Sequence, residues 1–178
     1  YYDIIMREVM RLSRLINDQL ELSRLQSGSL AIEKSAFDVG ELVMDVCDRY
    51  QSIAADHGQS FQLLTDFTNC PMVWSNPDRI EQLMVILLDN AIKYTEEGSV
   101  SVSGSWDNEK VILSVKDSGI GIDEKDLPYV FDRFYKVDKA HSGNGSGLGL
   151  SIVKHGAAYL GAWVTLESEQ DRGSTFTL

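Results

Sequence analysis

The chain has 178 residues, enough for one domain with a hydrophobic core and a small appended element. Hydrophobic residues make up 43% of it, and three Trp, seven Tyr and six Phe separate it from disordered chains, which are poor in both classes. With 16 Lys and Arg against 27 Asp and Glu, the formal net charge is -11, which excludes a broad basic surface for nucleic acid or anionic membrane. A phosphate ligand is still possible, because it needs only a local cluster of donors.

The cysteine pattern and the apolar runs indicate where the protein works. Cys47 and Cys70 have neither metal-ligand nor redox-motif spacing, so we interpret them as buried thiols in a reducing compartment, which predicts the cytoplasm. The longest apolar run, residues 83–88, is far shorter than the roughly 20 residues of a membrane span. Because the sequence begins at Tyr1 inside a helical pattern, we expect it to be part of a longer protein whose membrane anchor lies elsewhere.

The first segment, residues 4–25, contains no Gly or Pro and has the apolar spacing of an amphipathic helix. We expect this helix to end at Ser27 and Gly28, because Gly favours the left-handed conformation of a helix C-cap. It is either half of a helical hairpin that dimerises or a helix folded back on its own domain. Its apolar positions are Ile5, Val9, Leu12, Ile16 and Leu20.

After a connection at residues 28–37, the pattern predicts three further helices. The first has Asp38 as its N-cap and runs to about His57, the second follows the start signal at residues 76–78 and runs to about Tyr94, and the third covers residues 148–159. Because the strands do not alternate strictly with the helices, we predict an α+β fold. The predicted strands are residues 61–64, 72–74, 100–104, 111–115, 163–166 and 175–178.

Residues 87–95 contain the first of four unusual stretches. Asn90 and Lys93 are polar, yet they interrupt the apolar face of a predicted helix. An amide oxygen is a good neutral ligand for Mg²⁺, and Lys93 lies on the same helix face, from which it can reach a phosphate. Taken alone, the stretch favours a buried Asn satisfied by the backbone.

Residues 115–122 form the second stretch, in which Asp117 ends a strand and precedes Gly119 and Gly121. A carboxylate there can accept a hydrogen bond from an exocyclic amine such as that of adenine. The glycines would let the backbone approach a flat ring. The alternative is an ordinary turn with Asp as its first residue.

Residues 131–136, Phe-Asp-Arg-Phe-Tyr-Lys, form the third stretch and precede a polar run at 138–144. Apolar residues beside cations, next to such a run, suit a lid that closes over an anion. The alternative is core aromatic residues flanked by surface charges.

Residues 143–150 form the fourth stretch, with a Gly at every second position from 143 to 149, directly before a helix. Glycines at a helix N-terminus present unobstructed amides and a favourable dipole to phosphate. The pattern is not a Walker loop, because no Gly-Lys-Ser/Thr follows. Nor do the earlier glycines form a dinucleotide fingerprint, since Glu124 stands where the third Gly would be.

In this order the four stretches resemble the N, G1, F and G2 boxes of the histidine-kinase catalytic domain, in the superfamily shared by gyrase-type ATPases and heat-shock chaperones. Residues 173–176, Gly-Ser-Thr-Phe, are similar to the last box, and residues 11–25 resemble the second helix of the family's dimerisation and phosphoacceptor hairpin. The resemblance covers nearly the whole chain. It implies a truncated hairpin at 1–27, a linker at 28–37 and an ATP-binding domain at 38–178. That domain would be a two-layer α/β sandwich, with a mixed, mostly antiparallel sheet covered on one face by about three helices.

The resemblance also implies a site for ATP and Mg²⁺. Asp117 would hold the adenine amine and Asn90 would ligate Mg²⁺. Lys93, Arg133 and Lys136 would balance the phosphate charge. The other expected roles are a close approach of the ring at Gly119 and Gly121, a pocket lining of Tyr94 and Ile122, a wrap around the triphosphate by Gly145, Gly147, Leu148 and Gly149, and water-mediated support of the base by Thr175.

Two departures from the family pattern are visible. The N box commonly carries a second Asn four residues before the metal-binding one, and here that position is Ile86, which cannot accept a proton, orient a water or support the metal. We therefore expect turnover to be slow or to depend on groups elsewhere. The phosphoacceptor motif is a His followed by an acidic residue, and none of the chain's histidines has that neighbour. These histidines are His57, His141 and His155.

The leading hypothesis is a catalytic domain that, in the intact protein, binds ATP and Mg²⁺ and phosphorylates a His on the preceding helix. A response-regulator receiver domain would then take the phosphoryl group, and the N-terminal helix would form a homodimer. The alternative is a catalytically weak nucleotide-sensing or dimerising scaffold, suggested by Ile86. A chaperone or topoisomerase-type ATPase is disfavoured, because residues 131–136 and the first helix match kinases. We expect no nucleic-acid partner and no direct membrane contact by this segment.

Overall fold

The computed structural model describes residues 1–137 and 145–178. A short 3-10 turn at Leu127–Tyr129 leads toward the stretch at 131–136. The regular elements, in chain order, are α1 Tyr2–Ser27, β1 Ser35–Asp38, α2 Val39–Asp56, β2 Ser60–Leu63, β3 Met72–Ser75, α3 Pro77–Lys93, β4 Ser99–Trp106, β5 Val111–Asp117, α4 Gly149–Tyr159, β6 Thr165–Glu169 and β7 Gly173–Thr177.

The main sheet has five strands in the order β2-β4-β5-β7-β6. Only the β2–β4 pair is parallel, while β4–β5, β5–β7 and β6–β7 are antiparallel. Helix α3 packs on β4 and β5, α2 packs on β2, and α4 packs on α3. The predicted α+β fold, with a mixed and mostly antiparallel sheet covered by helices, is confirmed.

The helix starts and stops follow from local capping chemistry. The side chain of Asp38 accepts a hydrogen bond from the Glu41 amide at 3.0 Å, and Asn76 caps α3 through the Arg79 amide at 2.8 Å. Gly28 ends α1 with φ 65°, in the left-handed region. Because these groups satisfy amides and carbonyls that a helix end leaves open, the predicted boundaries hold to within a few residues.

The core lies between α3 and the main sheet. Met84 and Leu88 of α3 are fully buried, as are Val100 and Val102 of β4. The predicted burial of both thiols is confirmed. Burial, reinforced by Asp48, raises the pKa of Cys47 to about 12, so this thiol stays protonated and unreactive at neutral pH.

Two strands differ from the sequence prediction. Strand β1 lies inside the predicted connection and pairs with β3 in a separate antiparallel ribbon. It has only four residues, mostly exposed, and so carries no periodic signal. Strand β6 runs over 165–169 instead of 163–166, leaving Trp163 exposed before it. Its extent is set by pairing with β7, and as an edge strand it tolerates polar residues.

Helix α1 presents two different faces. Leu22 and Leu25 are buried against Leu148 and Ile152 of the α4 region, with Leu15 packed beside them. The other apolar stripe, which runs from Ile5 to Leu20, is more than half exposed along its length. The C-terminal half of α1 therefore folds back on its own domain, while its other face has no cover within the described residues. Within residues 1–137 and 145–178, neither α1 nor any other helix is both long and apolar enough to cross a membrane.

The burial of Leu22 predicts that Leu22→Ala weakens the packing of α1 on its own domain. Leu22 is fully buried, so its truncation should weaken the docking of α1 by about 2–5 kcal/mol, the usual cost of a Leu-to-Ala cavity. Hydrogen exchange of residues 15–27 in the monomeric chain should accelerate accordingly.

The matched control is Leu20→Ala, because Leu20 is 51% exposed on the same helix. It should leave exchange in this segment nearly unchanged. Equal effects of the two substitutions would show that α1 is not docked through Leu22 in solution.

Candidate functional site

A cavity of about 270 Å³ opens where the C-terminal half of α3, the end of β5, residues 130–137 and the start of α4 meet. Strand β7 also contributes to its wall. The lining residues are Ile86, Asp89, Asn90, Lys93, Tyr94, Asp117, Ile120, Gly121, Ile122, Val130, Tyr135, Lys136, Val137, Gly145, Ser146, Gly147, Gly149, Leu150, Ser174 and Phe176.

Most of the residues expected to bind nucleotide line this one cavity. They come from all four stretches, although these are up to about 60 positions apart in the chain. The expected residues that line it are Asn90, Lys93, Tyr94, Asp117, Gly121, Ile122, Lys136, Gly145, Gly147 and Gly149. The expected residues outside the lining are Gly119, Arg133, Leu148 and Thr175.

Asp117 is a buried carboxylate at the end of β5, with 6% of its surface exposed. Its Oδ1 accepts a hydrogen bond from the Gly119 amide at 2.9 Å. Burial raises the pKa of Asp117 above its ordinary value, while hydrogen bonds from the Gly119 and Ser174 amides oppose that rise. The side chain is thus a fixed acceptor in an apolar wall, and an exocyclic amine is a suitable donor for it.

The two glycines after Asp117 are required by the protein's own packing. A Cβ at Gly119 would lie 2.1 Å from the carbonyl oxygen of Tyr94, at the end of α3. Gly121 has φ 62°, and a Cβ there would lie 1.9 Å from the carbonyl oxygen of Glu169. Both glycines are therefore needed for the packing of the chain itself. That they also admit a flat ring stays a prediction, and Gly119 does not line the cavity.

The α3 wall carries Asn90 and Lys93 one turn apart, as the helical spacing predicts. Asp89 also lines the cavity, and its Oδ1 accepts a 2.6 Å hydrogen bond from the hydroxyl of Tyr50 on α2. Burial, and then this hydrogen bond, raises the pKa of Tyr50, so it remains a donor and holds Asp89 in place. Ile86 adds an apolar surface one turn earlier.

Two cations line a cavity in a strongly acidic protein. The pKa of Lys93 is lowered by burial. The pKa of Lys136 is lowered by burial, then by the charges of Lys93 and of Arg11 on α1. Because these positive charges disfavour one another, an anion bound between them would relieve the repulsion and favour their charged forms. Phosphate fits this requirement.

Helix α4 begins at the cavity without a capping side chain among the described residues, unlike α2 and α3. An uncapped helix N-terminus leaves amides available to an anion. The loop before it is fixed to the stretch at 131–136, because the Phe134 amide donates to the Gly147 carbonyl at 2.9 Å. The Ser151 hydroxyl likewise donates to the Phe131 carbonyl at 2.6 Å.

The remaining expected residues lie elsewhere for clear reasons. Leu148 is fully buried against α1, so only its backbone belongs to the glycine loop. Thr175 lies between Ser174 and Phe176, which do line the cavity, and strand alternation turns it to the other face of β7. Arg133 is exposed. The predicted lid at 138–144, with His141 and Gly143, falls outside the described residues.

Sequence reasoning missed several lining residues. Asp89 and Ser146 lie inside two of the four unusual stretches. Their polar side chains were the feature from which their place in the lining could have been predicted. Ile120, Val130 and Phe176 supply the apolar wall and look like ordinary core residues in sequence. Their contribution depends on which face of the chain meets the cavity, which the sequence pattern does not specify.

The chain is similar to a known protein family and to several known proteins. Residues 75–178 match the family described as histidine kinase-, DNA gyrase B- and HSP90-like ATPases. The chain is 35% identical over 180 residues to the sensor protein SrrB of Staphylococcus aureus strain NCTC 8325 / PS 47, covering 98% of this chain and 30% of that protein. It is 33% identical over 179 residues to the sensor histidine kinase WalK of Bacillus subtilis strain 168, covering 98% and 29%.

Two solved structures are similar over nearly the whole chain. Full-length ShkA in complex with AMPPNP superposes with a TM-score of 0.84 at 27% identity, covering 99% of this chain and 37% of that one. The Acinetobacter baumannii histidine kinase AdeS superposes with a TM-score of 0.78 at 25% identity, covering 99% and 81%. The chain spans about 30% of the length of SrrB and WalK.

The family match covers more than half of the chain and includes most of the residues that line the cavity. The chain belongs to the histidine kinase-, DNA gyrase B- and HSP90-like ATPase family and carries the catalytic ATP-binding domain of a histidine kinase.

Proposed function

We propose that this chain is the Mg²⁺- and ATP-binding part of a two-component sensor kinase that phosphorylates a His outside the sequence described here. The His nitrogen would attack the γ-phosphorus, the bond to the β-phosphate oxygen would break, and ADP would leave. A receiver-domain Asp of a response regulator would then take the phosphoryl group from the His. The observation that carries the proposal is the convergence of Asp117, Asn90, Lys93 and the glycine loop on one cavity.

In this proposal the protein acts by positioning and by balancing charge. Asp117 accepts from the adenine amine and fixes the base, while the apolar wall around Ile120 excludes water from it. Lys93 and Lys136 neutralise phosphate charge, and the amides at the start of α4 hold the phosphate oxygens. The roles of Arg133, Leu148 and Thr175 remain predictions from the family resemblance.

The donor set suits Mg²⁺ bound together with a nucleotide. Within the described residues no group of three or more His, Cys, Asp and Glu is placed to hold a metal by itself. Mg²⁺ in phosphoryl-transfer sites keeps several waters and takes one or two protein oxygens plus phosphate oxygens. Asn90 offers one such oxygen in the cavity, and Asp89 lies beside it. When bound, the metal would neutralise charge that develops on the phosphates.

The wider context of the proposal rests on the first helix. The exposed stripe from Ile5 to Leu20 suits one side of a hairpin that pairs with a second copy of the protein. We infer that the intact protein is a homodimer with its catalytic domain on the cytoplasmic side of a membrane. The relatives SrrB and WalK are named as a sensor protein and a sensor histidine kinase, which supports a signalling role for the intact protein.

The role of Asp117 predicts discrimination between ATP and inosine triphosphate, which has a carbonyl oxygen where ATP has the amine. The chain should bind ATP about 10- to 100-fold more tightly, since a hydrogen bond to a charged acceptor contributes about 1.5–3 kcal/mol. Asp117→Asn should weaken ATP binding and reduce this ratio. Calorimetric titration with both nucleotides in Mg²⁺ measures it.

Asp107→Asn is the matched control, because Asp107 accepts turn amides in the β4–β5 turn and an Asn can replace it there. It should preserve the ratio. If the parent chain binds neither nucleotide, the proposed function is wrong. A ratio that Asp117→Asn leaves unchanged would remove Asp117 from the adenine site.

The proposed role of Asn90 as a Mg²⁺ ligand predicts how the affinity for ATP depends on Mg²⁺. ATP affinity should rise when Mg²⁺ replaces EDTA, and Asn90→Ala should remove most of that rise while leaving the EDTA value nearly unchanged. A parallel titration with Asp78→Asn gives a control from the same helix, at an exposed residue that does not line the cavity. An equal rise in parent and Asn90→Ala would contradict the assignment.

Ile86 favours a second candidate function, the nucleotide-sensing scaffold, because it lines the cavity where the family commonly has Asn. The two functions separate when a hairpin carrying a His-Glu acceptor pair is supplied with the chain and ATP. A kinase should transfer acid-labile phosphate to the hairpin, and Ile86→Asn should accelerate the transfer. ATP binding without transfer, even with Ile86→Asn, would favour the scaffold.

A further inference from the structure

The glycine loop is tied to helix α1 by a hydrogen-bond chain. The Ser146 hydroxyl donates to Oδ2 of Asp18 at 2.8 Å. The same hydroxyl oxygen accepts from the Leu148 amide at 3.2 Å. The chain of contacts thus runs from a carboxylate on α1 to a backbone amide at the first turn of α4, through a residue that lines the cavity.

This arrangement opposes the binding of an anion at the loop. It places the negative charge of Asp18 against the segment whose amides are suited to phosphate. It also engages the Leu148 amide with Ser146, so that this donor is not free for a ligand. The charge of Asp18 disfavours a triphosphate while α1 remains docked, and this effect is lost when Asp18 moves away. Asp18 also orients the Ser146 hydroxyl, which donates to Asp18 while its oxygen accepts from the Leu148 amide.

Other contacts hold α1 in this position. Glu21 accepts two hydrogen bonds from the Gln82 amide group, both at 2.8 Å, and forms an ion pair with Arg79 of α3. The apolar cluster of Leu22 and its neighbours includes Ile86, which also lines the cavity. Helix α1 therefore contacts the cavity wall directly at Ser146 and shares an apolar cluster with a second lining residue, Ile86.

The docked state also contains an unfavourable feature at a buried polar atom. The side-chain oxygen of Gln19, next to Asp18, is buried without a hydrogen-bond partner among the described residues. A buried acceptor that lacks a donor disfavours the state that buries it. The interface is thus suited to release.

We propose that Asp18, acting through Ser146, holds the glycine loop in a form that disfavours ATP, so that docking of α1 and binding of ATP oppose each other. This inference rests on the proposed ATP-binding function. The coupling is reciprocal: if docking of α1 lowers the affinity for ATP by some factor, bound ATP lowers the equilibrium constant for docking of α1 by the same factor. Asp18 is a positioning residue, because it contacts the Ser146 hydroxyl and not the nucleotide itself.

The test measures AMPPNP affinity for the parent chain and for Asp18→Asn, in which the charge is lost but an acceptor for Ser146 remains. Binding should become about 3- to 10-fold tighter, and the gain should shrink at high salt because its origin is electrostatic. Asp3→Asn removes the same charge from the first turn of α1, roughly 22 Å along the helix from Asp18, and should change affinity less than twofold.

Glu21→Ala supplies a second variant that leaves the loop and Asp18 unaltered but removes the anchor to Arg79 and Gln82. It should also tighten AMPPNP binding, and hydrogen exchange of residues 15–27 should accelerate in it. In the parent chain, AMPPNP itself should accelerate exchange in this segment, as reciprocity requires.

The outcomes are distinguishable. Tighter binding by both variants with faster exchange on AMPPNP addition supports the inference. Unchanged or weaker binding by Asp18→Asn, or AMPPNP that slows exchange at 15–27, overturns it while leaving ATP binding intact. Failure of the parent chain itself to bind AMPPNP overturns the proposed function, and this inference with it.

Discussion

The close approach between the segment after β5 and the end of α3 is the contact on which the site depends. The Ile120 amide donates to the Tyr94 carbonyl at 3.1 Å, and only the missing side chain of Gly119 lets the two backbones come so near. Asp117 is thereby fixed beside the α3 face that carries Asn90 and Lys93. The carboxylate that we propose to bind the base and the helix face that we propose to bind phosphate come from distant parts of the sequence. This packing brings them into the wall of one cavity.

Charge acts at two scales in this molecule. The net charge of -11 repels anions at long range, yet two lysines line the cavity, and the charge of Lys93 helps to lower the pKa of Lys136. The charges close to the cavity determine whether an anion is favoured there, because screening limits the reach of the distant carboxylates to about 8–10 Å at ordinary ionic strength. The carboxylates that matter are therefore those at the cavity itself, namely Asp89, Asp117 and, through Ser146, Asp18.

The sequence predicted the features that depend on local rules. The cap at Asp38, the helix start at residues 76–78 and the stop at Gly28 all followed from neighbouring residues. Strand β1 and the shift of β6 could not be predicted in that way, because pairing with distant strands sets their extent. The same limit applies to the site. Its polar residues were recognisable, whereas the apolar wall and the position of Thr175 depend on which face of each strand meets the cavity.

The two faces of α1 connect these points. An amphipathic helix with one apolar stripe packs against one surface. Helix α1 instead has two apolar regions, because Leu22 and Leu25 are buried while the stripe from Ile5 to Leu20 is exposed. The buried set fixes the helix to α4, whose first turn is also the proposed phosphate site. The exposed stripe and the contact to the proposed phosphate loop therefore belong to one continuous helix, Tyr2–Ser27. Ile86 stands where the family resemblance leads us to expect Asn. It gives the cavity an apolar surface and packs against the cluster that Leu22 and Leu25 form with Leu148 and Ile152. The same residue therefore borders both the proposed nucleotide site and the cluster that fixes α1.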